Sequence, residues 1–146
     1  MFRVKYNYKR TYIGNIPKGE DLYDALTKIA LEEDIRTGKL IAIGAVTEAV
    51  IGFFDQKLNE YNKIFLSTEH EILNCSGNIS LKEGKPFVHA HIILGDKDGK
   101  VFGGHLMNGT KVFACEVIID EYSGEDLNRE KDNVTGLFLW RGRSLI

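Results

Sequence analysis

The chain has 146 residues, enough for one well-cored domain and too few for two. Hydrophobic residues make up 43% and charged residues 27%, an ordinary soluble balance, and no apolar run approaches the roughly 20 residues of a membrane-spanning helix. A formal net charge of −2 gives no overall basic excess, the usual signature of a protein that neutralises nucleic-acid phosphates.

The N-terminal MFRVKYNYKR is charged from its third residue and has no apolar core, so it does not read as a signal peptide, and a cytoplasmic location is the expectation. Cys75 and Cys115 are far apart in the sequence and are expected to be reduced and buried.

Phe2 to Ile16 alternates loosely and is rich in Tyr, Val and Ile, which predicts one or two strands ended by Ile16-Pro17-Lys18-Gly19. Asp21 can cap a helix, and Leu22, Leu26, Ile29 and Ala30 recur at helical spacing, giving one amphipathic helix from about Leu22 to Ile35. Thr37-Gly38-Lys39 ends it. Leu40 to Phe54 is apolar and β-branched, with bulges or bends expected at Gly44 and Gly52. Strands follow at Tyr61 to Leu66, Glu69 to Leu81, Phe87 to Leu94, Lys100 to Met107 and Lys111 to Glu121, with Asn108-Gly109 a strong turn signal. A polar stretch, Ser123 to Thr135, leads to a last apolar segment, Leu137 to Trp140. One main helix with many antiparallel strands is an α+β domain, a largely antiparallel sheet or partly open barrel covered by the helix.

One hairpin carries the chemistry. Lys97-Asp98-Gly99 fits a three-residue connection whose last residue takes positive φ, which Gly99 does without steric cost. Asp96 then pairs Lys100, Leu94 faces Phe102, Ile92 faces Gly104 and Ala90 faces Leu106, so that face is apolar. The other face carries His89 and His91 on one strand and His105 on the next, with His91 directly opposite His105. A two-residue loop would turn His105 to the other face, so the geometry hangs on this turn.

Three of the chain's four histidines fall together. Directly paired Cβ atoms lie about 4.5–5.5 Å apart, close enough for imidazoles to converge on one ion at about 2.0–2.1 Å. Three protein ligands leave a fourth position open, as in catalytic rather than closed structural zinc. Zinc is preferred, and other divalent transition metals also suit neutral imidazole. Glu116, expected on one face with Val112, Ala114 and Ile118, is a candidate fourth ligand, partner for a histidine N–H, or general base. Glu69, His70 and Glu71 read as a surface polar cluster, and Asp96 and Asp98 as turn residues. Gly103-Gly104 opens no helix and reads as close backbone approach or subunit packing, not a nucleotide cradle.

Taken in order, Gly77-Asn78-Ile79, His89-Ala90-His91, Asp98-Gly99, Gly103-Gly104-His105-Leu106 and Glu116-Val117 resemble the PPC domain. This is the domain of unknown function also found in plant AT-hook nuclear proteins and known in prokaryotes as PD1-like DNA-binding. The two-strand start, the single helix, Ile43-Gly44-Ala45-Val46 and Phe54-Asp55 fit as well, so the resemblance covers nearly all of a single domain, 1–146. It implies an α+β fold assembled as a homotrimer, and metal-binding histidines at His89, His91 and His105. The plant members bind DNA through separate AT-hooks. Arg141-Gly142-Arg143 keeps only the core of such a hook, between Trp140 and Ser144.

The favoured reading is therefore a metal-binding homotrimer acting on a small molecule, with Trp140 or Arg141 of a neighbouring subunit as candidates to complete the site. The alternative is a DNA-binding regulatory or architectural protein using Lys5, Lys9, Arg10, Arg141 and Arg143 as local basic residues. A third is a trimeric scaffold with a structural metal. The residues give a site, not a reaction.

Overall fold

The computed structural model describes residues 3–141. Its strands are β1 (Asn7–Ile16), β2 (Gly38–Asp55), β3 (Glu60–Leu66), β4 (His70–Lys82), β5 (Lys85–Gly95), β6 (Val101–Leu106), β7 (Lys111–Ser123), β8 (Asn128–Lys131) and β9 (Phe138–Arg141), with one helix, α1 (Leu22–Glu32). All nine strands belong to one sheet. Among the described residues, no helix is long and apolar enough to cross a membrane.

The 18-residue strand β2 organises that sheet. Its first half lies between β7 and β4, and its second half pairs β3 and touches β6. Since β4, β5 and β6 pair in succession, this second contact bends the sheet round on itself. The β2–β6 contact is short, Ile51 with Leu106 and Gly52 with His105, so the curl stops short of a true barrel. The ladder shifts between Ala42 and Gly44, where a bulge was expected, while Gly52 stays in register with Lys63.

The helix covers the core side. Asp21 caps it, accepting a hydrogen bond from the Asp24 N–H, and the helix buries Leu22, Leu26 and Ala30. It ends at Glu32, earlier than its periodicity suggests, because Asp34 takes a positive φ of 47°. The turn lets Ile35 N–H bond the Ala30 carbonyl and sends the Ile35 side chain into the core. Alternate residues of the strands share one core with the helix, among them Ala42, Ile79, Val88, Ala90, Ile92, Leu94 and Ile119. Both cysteines are free and buried, and burial pushes their thiols up to about 12 for Cys75 and about 11 for Cys115.

Among the described residues, much of the other side of the sheet lies open. Ile13, Ile118, Ile41, Ser76, His91 and His105 stand directly opposite one another in turn, across β1, β7, β2, β4, β5 and β6. Directly paired residues share a face, so three exposed isoleucines and two histidines occupy one row on the outer surface.

Glu121 is the buried charge that ties the N-terminal strand down. It is 2% exposed and accepts hydrogen bonds from Lys9 Nζ at 2.7 Å and Arg10 Nε at 2.5 Å. Burial alone would raise its pKa, but these two cations more than offset that and hold it below the ordinary 4.5. The resulting stability is fully present above the ordinary value and is lost as pH falls through the lowered native one. Replacing Glu121 by Gln is expected to cost about 1 kcal/mol at neutral pH, a small figure because Lys9 and Arg10 are half exposed. In urea unfolding at stepped pH, the gap between variant and wild type should close on acidification.

Candidate metal centre

The β5–β6 hairpin builds the site. Asp96 N–H donates to the Lys100 carbonyl, and Asp96 Oδ1 accepts from the Asp98 and Lys100 N–H groups, so the connection is pinned from within. Gly99 takes φ 79°, the left-handed conformation the three-residue turn requires. The register follows as expected: Leu94 faces Phe102, Ile93 faces Gly103, Ile92 faces Gly104 and His91 faces His105. Strand alternation puts His89 on the same face as His91.

The three imidazoles converge. Ring centroids lie 5.3 Å apart for His89–His91, 5.0 Å for His89–His105 and 5.5 Å for His91–His105. One nitrogen from each lies within 4.8 Å of the others, an arrangement that could hold a single metal ion. His105 Nδ1 is buried with no hydrogen-bond partner among the described residues, so its desolvation is not repaid by them. Burial first, then the charges of neighbouring groups, lowers His89 and His105 from 6.5 to about 4. Both are therefore neutral at pH 7, the form that ligates metal.

Close packing holds the ring in place. The Tyr61 ring lies 4.9 Å from His105, and Phe54 packs edge-on against Tyr61 at 5.1 Å. Beneath His89, a Cβ at Gly77 would stand 2.2 Å from the His89 carbonyl oxygen, so only glycine lets β4 and β5 approach there. A Cβ at Gly104 would likewise meet the Gly52 carbonyl at 2.7 Å, which bears out the close approach expected of the Gly103-Gly104 pair.

A cleft of about 320 Å³ opens beside His89 and His105, between the hairpin and the β8–β9 turn. Tyr61, Phe87 and Phe138 wall it, with Lys82 and Arg129 as its cations. Arg129 is buried, and it reaches Ser80 Oγ at 2.8 Å, the Phe138 carbonyl at 3.0 Å and Asn78 Oδ1 at 2.6 Å. Asn78 stands directly opposite His89 on the neighbouring strand. Sequence reasoning missed Arg129, because a charged tetrapeptide in a polar stretch reads as loop.

Glu116 is not brought to the histidines. It is exposed on β7, opposite Ile43 on β2 and Asn15 on β1. Three strand spacings, about 14 Å, separate β7 from β5 across β2 and β4, so within one chain it serves neither as ligand nor as partner of a ligand. Its expected face is also corrected. Ala114 and Ile118 share it, but irregular pairing with β2 beyond Ala114 turns Val112 into the core. His70, expected at the surface, is 5% exposed, with Nδ1 2.7 Å from the Thr68 carbonyl and its ring edge-on to Phe102. Trp140 donates from Nε1 to Ser80 Oγ and Arg141 pairs Asp132 in the same chain, while Gly142 and Arg143 lie outside the described residues.

Residues 3–123 match the model of the Plants and Prokaryotes Conserved (PCC) domain. The chain belongs to this family. A crystal structure of the metal-containing protein of Archaeoglobus fulgidus is 43% identical, with 97% of this chain and 100% of that one superposed at a TM-score of 0.92. A plant- and prokaryote-conserved protein of Pyrococcus horikoshii is 37% identical over 99% of this chain and 100% of its own, also at 0.92. A candidate DNA-binding protein of Bacteroides thetaiotaomicron is 30% identical over 93% and 96%, at 0.85. The bifunctional protein GlmU of a Synechococcus strain is 29% identical over 87% of this chain, which spans only 20% of that protein's length.

Two lowered histidines make a signed prediction for the metal-free protein. Between pH 6.5 and about 4 the unfolded chain takes up protons that native His89 and His105 refuse, so stability falls as pH falls across that window. Thermal unfolding at stepped pH should show a shallower loss in the His89→Gln/His105→Gln double variant than in wild type.

Proposed function

We propose that this chain is a metal-binding PCC-domain protein that holds one divalent transition metal, zinc by preference, at His89, His91 and His105. The observation that carries the reading is the convergence of one ligand nitrogen from each of His89, His91 and His105, together with the unpartnered buried Nδ1 of His105. The metal-containing Archaeoglobus relative supports it. Three neutral imidazoles leave the ion its full charge and an open position, where it can polarise a bound water or an acidic ligand. An aromatic cleft beside that position suits a small molecule. Elemental analysis should find about one metal per chain in wild type and none in the His89→Ala/His91→Ala/His105→Ala variant. Equal metal in both would end the reading.

The working unit in this reading is one domain, 1–146, assembled as a homotrimer. Its support is the PPC resemblance and the outer row in which Ile13 is 79%, Ile41 43% and Ile118 45% exposed on neighbouring strands. A charge there should oppose association. Ile41→Glu is expected to sediment as a monomer where wild type sediments as a trimer.

A second reading, DNA binding, draws on the Bacteroides relative. The net charge of −2 gives it no electrostatic help. A fall in affinity as salt rises would favour it, and no binding at low salt would remove it.

A further inference from the structure

Among the described residues, the buried carboxylates have cationic partners, and one buried cation lacks a carboxylate. Glu121 has Lys9 and Arg10, and Asp21 has Lys111 together with the Gly109 N–H. Arg129 is 8% exposed, yet no carboxylate lies within ion-pair distance of it among the described residues. Its three acceptors, a hydroxyl, a side-chain amide oxygen and a backbone carbonyl, are all neutral. A guanidinium has five N–H donors. One therefore remains on each terminal nitrogen. A buried cation without a counter-charge is costly, and an anion arriving from outside relieves that cost.

The place where such an anion would sit is the cleft that Arg129 shares with His89 and His105. A second cation stands there too: Lys82 Nζ lies 3.9 Å from the centre of the Phe138 ring and 5.3 Å from that of Phe87. Glu60, the one carboxylate lining the cleft, is exposed and pairs with neither cation. Between the cations and the histidines the walls are aromatic: Tyr61, Phe87 and Phe138. Flat apolar surface beside a single desolvated cation favours a monoanion with an apolar body over a strongly hydrated dianion such as phosphate.

We propose that this cleft receives a small organic carboxylate with a flat apolar body, taking Arg129 as its counter-charge and the ion at the histidines as its second anchor. The inference builds on the metal reading and adds the ligand class. Arg129 lies beyond residues 3–123, where the family match ends.

Benzoate and its neutral analogue benzamide test it by isothermal titration into the metal-loaded protein, with zinc measured on the same samples. Benzoate should bind at least about tenfold more tightly than benzamide, as expected of one charge-assisted contact. Arg129→Gln should lose about tenfold for benzoate while keeping its zinc, and Arg129→Lys should recover most of the loss. Equal affinity for the two probes, no benzoate binding, or unchanged binding in Arg129→Gln overturns the proposal. Should Arg129→Gln not fold, the comparison of the two probes on wild type and on Arg129→Lys decides. Absent zinc with benzoate preference intact would fell the metal reading and leave the anion site standing. Zinc at the histidines without benzoate preference would do the reverse.

Discussion

The register of the β5–β6 hairpin is the constraint on which the rest depends. Strand side chains alternate with a period of two, so a slip of one residue would carry His89 and His91 into the core and Ala90 and Ile92 out to water. Two things prevent the slip. The Asp96 carboxylate grips the turn that Gly99 closes. On the far side, Val88, Ala90, Ile92 and Leu94 are all but fully buried beneath the helix. Apolar burial therefore fixes the position of polar chemistry on the opposite face. The scale of that burial, about 1.5–3 kcal/mol for each large side chain, exceeds what most polar contacts at the site could supply.

Electrostatics then sort the site. The histidine cluster contains no carboxylate, and Glu116, the nearest candidate by sequence reasoning, faces elsewhere. What approaches the imidazoles is cationic or aromatic: Arg129 through Asn78, and Tyr61 over His105. Burial first, and then the neighbouring charges, keeps His89 and His105 neutral. Such surroundings also make the centre attractive to negative charge once an ion is held, unlike a closed thiolate site that neutralises its own metal.

Much of this was legible in the sequence, for physical reasons that differ by element. The hairpin was readable because turn chemistry and strand alternation are both local, and together they fix which residues face each other. The helix start was readable from Asp21; its end was not, because Ile35 keeps helical spacing but reaches the core through a left-handed turn at Asp34. Glu116 was misplaced because type and order along a chain do not say which strands become neighbours. The β8 strand was invisible: three of its four side chains face water, so it carries no apolar alternation, and only Arg129 turns inward. His70 was misjudged because its cover, Phe102, comes from a strand distant in sequence.

The β8–β9 hairpin meets the sheet through two parallel residue pairs, Leu81 with Asn128 and Lys82 with Arg129. The turn at Asp96 and the core backing of the histidines lie elsewhere in the chain, and Arg129, through Asn78, links this hairpin to the site. The molecule thus works as an anvil and a jaw. A short stretch of chain, tethered at one strand end, sets the charge and shape offered to whatever enters beside the histidines.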